Sequence, residues 1–108
     1  TKIINNTIVA PASFGISSAR AGEVLNNIVL FNPGTTGIRL DLGTVDTSNL
    51  VAPIANQGSI LSSITYKLVA NSVAIDTGKN VQAHGVITDF DGISRPKGVA
   101  YDKGAYEY

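Results

Sequence analysis

Two asparagine pairs constrain this chain more than any other feature. Asn5-Asn6 and Asn26-Asn27 stand 21 residues apart, inside the similar stretches IINNTIVA (residues 3–10) and VLNNIVLF (24–31). A second feature keeps nearly the same period, since FGISSA (14–19) and TGIRLD (36–41) place Gly15 and Gly37 22 residues apart. TSNLVAP (47–53) is a degenerate third copy, with Asn49 23 positions beyond Asn26. A unit this short cannot bury its apolar face alone, so repetition at such a period marks an architecture in which one unit covers the next.

Each unit is built from β-branched runs of four to six residues, split by Gly, Pro, Asn and Ser. That is strand and turn chemistry. Apolar residues do not recur at helical spacing, and eleven glycines and four prolines leave little room for helix. The expectation is an all-β solenoid of about three to four coils, each of 21–23 residues, over residues 1–70. Residues 71–108 would form the last coil and a closing cap of the same single domain. Strands pairing with their equivalents one coil later bring like residues about 4.8 Å apart. Ile and Val then fill interior columns, and Asn5 or Asn6 over Asn26 or Asn27 forms an amide ladder, each side chain donating and accepting along the stack. The plainer alternative is two ordinary Asn-Asn turns.

Charge and composition narrow the function classes. Eight basic residues balance eight acidic ones, so no field recruits nucleic acid. Without cysteine there is no disulfide framework and no thiolate metal site. The uncharged run 47–66 contains Pro53, Gly58 and many Ser, Asn and Gln, which rules it out as a membrane helix. Methionine is absent, position 1 included, and TKIINNTIVA opens in the middle of a strand pattern. The chain is therefore expected to be a piece of a longer one, with any export signal upstream.

The closing stretch TDFDGISRPKGVAYDKGAYEY (88–108) differs in kind, carrying four acidic and three basic residues among glycine and tyrosine. An open solenoid end exposes unpaired backbone and apolar core and needs a cover. Gly92, Gly98 and Gly104 permit tight turns, Pro96 withholds a donor, and Arg95 can bridge carboxylates. Tyr101, Tyr106 and Tyr108 can lay rings on the core with their hydroxyls in water. The residues assigned to this cap are Asp76, Asp89, Asp91, Gly92, Arg95, Pro96, Asp102, Gly104, Tyr106 and Glu107.

ANSVAIDTGKN (70–80) followed by this stretch resembles the terminal signature of secreted bacterial right-handed parallel β-helix proteins. That signature has the form SPAIDAG, then D-x-D/R-G-x-x-R-P, then D-I-G-A-Y/F-E. Ser72, Ala74, Ile75, Asp76 and Gly78 match its first part; Asp89, Asp91, Gly92, Arg95 and Pro96 its second; Asp102, Gly104, Ala105, Tyr106 and Glu107 its third. Val73 stands where Pro is usual and Lys103 where Ile is usual. The NNTIV and NNIV units are similar to ordinary coils of the same proteins. The resemblance implies a right-handed parallel β-helix, an extracellular or cell-surface location and a carbohydrate bias. Polysaccharide lyases, epimerase-like enzymes and adhesins share this ending, so it implies no single reaction.

Elimination on uronate polysaccharides needs a cation for the carboxylate and a base for the C5 proton. Arg39, Tyr66, Lys67 and His84 are the available groups, and Arg39, Tyr66 and Lys67 are the candidate carbohydrate contacts. Arg39 and Lys67 are 28 positions apart, which is not one period, so spacing does not bring them together. The lone His84 reads as a surface turn residue. Asp89-Phe90-Asp91-Gly92 begins like an oxygen-ligand calcium loop, but no acidic residue follows at the spacing of an EF-hand. Charge pairing with Arg95 is the preferred reading, and a single structural calcium ion is the alternative. No other cofactor is expected.

The expected role is structural: terminal coils and cap of a larger exported β-helix protein directed at polysaccharide or the cell surface, with no complete active site here. The alternative is a self-assembling surface or filament subunit pairing through its first coil, and a small stand-alone lyase ranks third. Upstream coils or another copy are the expected partners at that first coil, with polysaccharide a further ligand.

Overall fold

The computed structural model describes residues 2–18, 22–42 and 45–108. Seven strands occur among them: β1 (Lys2–Ile4), β2 (Thr7–Val9), β3 (Phe14–Ser18), β4 (Glu23–Leu25), β5 (Ile28–Phe31), β6 (Thr36–Leu40) and β7 (Leu50–Pro53). All pairing between strands is parallel, in three small sheets ordered β1-β4, β2-β5-β7 and β3-β6. Each strand meets its counterpart one repeat later, with Ile3 opposite Val24, Ile8 opposite Val29, Ile16 opposite Ile38 and Val29 opposite Val51. Two repeats of three strands and one strand of a third are therefore present among the described residues. The helical content is two 3-10 turns, Ile54–Ser59 and Gln82–His84, and no helix is long and apolar enough to cross a membrane.

Asn5 and Asn26 turn the chain between consecutive strands at φ 55° and 57°. Asparagine tolerates this left-handed conformation better than other residues bearing a Cβ, because its short amide bonds locally. The same residue type at the same place in each repeat sends β2 and β5 off in equivalent directions. That keeps the register constant.

Alternation along the strands divides the core. Val24, Val29, Ile16 and Ile38 face one another between the sheets, joined by Ile3, Ile8 and Leu40. Ile28 and Leu30, flanking Val29, face the opposite way and meet Ile60, Leu61, Leu68 and Ala74. Leu25, the neighbour of Val24, likewise faces outward onto Val81 and Tyr101. Strands buried on both faces lose the polar alternation of a one-sided sheet. The unbroken run Ile28-Val29-Leu30 is the result, all three being fully buried.

This two-sided burial moves the closing segment from its expected position. Residues 60–108 do not lie across an end of the repeats but run along the outer faces of the β1-β4 and β2-β5-β7 sheets. They reach the first repeat at Asn5 and Thr7 and the second at Asn26. The physical reason is that Leu25, Ile28 and Leu30 expose a second apolar face that needs cover. Nor do residues 71–108 contain a further paired strand: beyond Pro53 the described residues hold two isolated antiparallel bridges, Leu61 with Leu68 and Thr88 with Ser94.

The third sheet approaches β5 and β7 closely. A Cβ on Gly15 would sit 2.3 Å from Val29 Cγ1 and 2.7 Å from the Gly37 carbonyl oxygen, and one on Gly37 would sit 2.4 Å from Val51 Cγ1. Gly15→Ala is accordingly expected to destabilise the chain by about 1–3 kcal/mol. Gly58→Ala, where a Cβ meets nothing within 4 Å, should stay within about 0.5 kcal/mol of the parent. Urea denaturation of the two variants checks the contrast.

Candidate functional site

Three features have enough built structure to act as a site: an asparagine ladder, a buried charged cluster in the closing segment, and an aromatic groove between that segment and the first repeat.

The ladder is formed by Asn6, Asn27 and Asn49. Asn27 Oδ1 accepts the backbone N–H and the Nδ2 of Asn6, at 2.9 and 3.0 Å, and Asn49 Oδ1 accepts the same two groups of Asn27, at 3.0 and 2.9 Å. The remaining amide hydrogens go to the preceding strands, from Asn27 Nδ2 to the Ile3 carbonyl and from Asn49 Nδ2 to that of Val24. Asn5 and Asn26 serve differently. Asn26 Nδ2 lies 3.4 Å from Asn5 Oδ1, but their stronger bonds hold the closing segment. Asn5 Nδ2 donates to the carbonyls of Asp102 and Gly104, while Asn26 exchanges two bonds with the Lys79 backbone, at 2.7 and 2.8 Å. Ladder membership of Asn49 was signalled by its place one repeat beyond Asn27.

The three separated parts of the terminal signature meet in one cluster. Arg95 donates from Nη1 to Glu107 Oε2 at 2.8 Å, from Nε to the Thr88 carbonyl and from Nη2 to the Gly104 carbonyl. Both partners of the ion pair are almost wholly enclosed, with side chains 2% and 0% exposed. Glu107 also accepts the N–H groups of Lys97 and Asp102, and its own N–H donates to Asp89 Oδ2. Asp102 accepts the N–H groups of Asp76 and Tyr108, and Asp76 accepts that of Ala100. Among the described residues no buried side-chain N or O lacks a partner. A buried charge is tolerable on that condition.

Gly104 fits this cluster to the sheets. Its φ is 90°, its N–H donates to the Asn26 carbonyl, and a Cβ there would lie 2.6 Å from Ile28 Cδ1. Next to it, the Ala105 N–H donates to Thr7 Oγ1. Thr7 was not singled out from the sequence, where nothing distinguishes it from other strand threonines.

Burial pushes the Asp89 carboxyl upward, but N–H donors from Glu107, Ile93 and Asp91, with the Arg95 charge, outweigh it and hold the group below the ordinary aspartate value. Burial dominates at Glu107 and pushes that carboxyl up against its N–H donors from Lys97 and Asp102. Asp89 Oδ1 is taken by the N–H groups of Asp91 and Ile93, and Asp91 pairs with Lys67 at 2.6 Å. The Asp89–Gly92 turn is thus closed by its own backbone. Among the described residues no three His, Cys, Asp or Glu side chains gather as a metal site.

The candidate carbohydrate contacts divide between two places. Arg39, on β6, pairs with Asp41 at 3.1 Å and lies 5.3 Å from the centre of the Phe14 ring. Lys67 pairs with Asp91 and lies 5.3 Å from the centre of the Tyr106 ring. These sets of contacts share no residue, so Arg39 and Lys67 have no common partner among the described residues. Tyr66, at φ 59°, lines a groove of about 450 Å³ together with Thr7, Val9, Phe90 and Tyr106. Phe90 meets Tyr106 edge to face at 5.8 Å. Phe90 was missed in the sequence, where it stands among charges in an apparent turn. His84 Nε2 lies 3.9 Å from Glu23 Oε2, beside β4 and away from the groove.

No known family model matches the chain, and neither a curated protein nor a solved structure matches it.

Removing the middle rung should be costly. Asn27→Ala takes the acceptor from the Asn6 N–H and the amide donor from the Ile3 carbonyl, and leaves Asn49 Oδ1 with the backbone N–H of residue 27 alone, so a loss of about 1–3 kcal/mol is expected by urea denaturation. The Asp89 carboxylate stabilises the fold fully above the unfolded aspartate pKa of about 3.9, and that contribution is lost as pH falls through its lower folded value. The stability gap between the parent and Asp89→Asn should therefore be constant near neutral pH and shrink below about pH 4. Thermal melts across an acid series measure it.

Proposed function

We propose that this chain supplies terminal coils and the closing segment of a right-handed parallel β-helix protein, exported and directed at polysaccharide or the cell surface, without a complete active site of its own. The observation that carries the reading is the register: every described strand pairs in parallel with its counterpart in a neighbouring repeat, and Asn6, Asn27 and Asn49 are hydrogen-bonded in line. The direction toward carbohydrate is supported by the terminal signature, whose three parts here converge on Arg95, Asp102 and Glu107. A structural role is supported by what those charged residues do, since each is consumed in hydrogen bonds to neighbouring backbone.

On this reading the chain releases no ultraviolet-absorbing unsaturated product from pectate or alginate. Product whose formation is abolished by Arg39→Ala or Lys67→Ala would overturn the structural role. A crystal structure in which the three strands of a repeat wind in the left-handed sense would overturn the architecture.

A further inference from the structure

Among the described residues the edge formed by β1, β2 and β3 is open, since each of these strands pairs on one side only. Across it runs a shallow depression bordered by Ile3, Asn6, Ile8 and Ile16, which continues at Thr7 into the aromatic groove. The two concavities divide as the interior divides. Ile3, Ile8 and Ile16 continue the inner columns, whereas Thr7 and Val9 continue the outer columns of Ile28 and Leu30. In the groove the closing segment overhangs the outer columns with Tyr66, Phe90 and Tyr106, and Phe90 is 79% exposed.

The ladder ends unfinished at this edge. Asn27 and Asn49 each accept two donors at Oδ1, but Asn6 Oδ1 accepts none from the described residues. It calls for a residue whose N–H and side-chain amide both point at it. A second copy stacked head to tail cannot provide this, because its exposed rung is Asn49. The Asn49 N–H and Nδ2 are already given to the Asp46 and Val24 carbonyls.

Resting on the β-helix reading, we propose that the open edge and the aromatic groove together form a docking site for an additional strand–Asn–strand segment of polypeptide. That segment runs parallel to β1 and β2. It places asparagine above Asn6, and it carries outward-facing apolar side chains that seat against Tyr66, Phe90 and Tyr106. Backbone pairing along an open sheet edge supplies affinity, and pockets for alternate side chains supply selectivity. The closing segment then acts as a lip that selects apolar residues at the outer positions.

The test uses the chain of 108 residues, isotopically labelled, and a synthetic peptide copying its own residues 22–32, which carry Asn27, Ile28 and Leu30 in the required order. Titration should shift resonances of β1 and β2 together with Tyr66, Phe90 and Tyr106. Replacing the asparagine of the peptide that corresponds to Asn27 with alanine should weaken binding about tenfold, the loss of roughly one hydrogen-bonding partner. Phe90→Ala and Tyr66→Ala in the chain should each weaken it by a similar factor, while exposed Val73→Ala should not. The proposal fails if no resonance at β2 or the groove moves, or if the shifts are indifferent to Phe90→Ala and to the peptide asparagine. It also fails if oligosaccharide alone occupies the groove, or if light scattering shows copies of the chain covering the edge. Amide exchange in the unbound chain separates the two readings: slow exchange along β4, β5 and β7 with no peptide binding would sink this inference and leave the β-helix reading standing.

Discussion

The structure depends on the asparagine amide as a spacer between repeats. A side-chain carbonyl that accepts both the backbone N–H and the Nδ2 of the residue one repeat before it fixes distance and register at once. A one-residue slip would invert every side chain of a strand. Here it would also bring Val29 outward and leave Ile28 and Leu30 competing for the narrow space beside Gly15 and Gly37. Ladder and glycines impose the same register from opposite sides of the repeat.

Around this frame the protein uses charge in an uncommon place. Arg95 and Glu107 are enclosed, yet each is surrounded by backbone groups that would otherwise have no partner in a segment without regular strands. Residues 60–108 have no paired strand to satisfy their amides and carbonyls; turns and scattered backbone bonds satisfy some, and side chains satisfy others, Asp89, Asp102, Asp76 and Glu107 as acceptors, Arg95 and Asn5 as donors. The concentration of charge in residues 88–108 thus supplements the few backbone bonds of a segment without paired strands.

The repeat was legible in the sequence because asparagine and glycine occupy positions that few other residues can fill, and so recur visibly. The placement of the closing segment was not. A segment covering an end and one covering a flank need the same turns, rings and paired charges, so composition does not separate them. The distinguishing mark was Ile28-Val29-Leu30, a run without alternation that requires burial on both faces. The groove was legible only in part. Tyr66 and Lys67 could be named as candidates, but Phe90 and Tyr106 come beside Tyr66 through the packing of distant segments. Arg39 was named on charge alone and lies with Phe14 and Asp41.

The bonds from Asn5 to the Asp102 and Gly104 carbonyls join residues 97 and 99 positions apart, nearly the whole length of the chain. During synthesis the outer flank of β1 and β2 must wait for Asp102 and Gly104 before it is sealed. Contacts of such long sequence separation slow folding. β1 and β2 spend that interval with their outer apolar flanks wet, a period in which a chaperone or a premature neighbour competes with residues 102–105 for the same face.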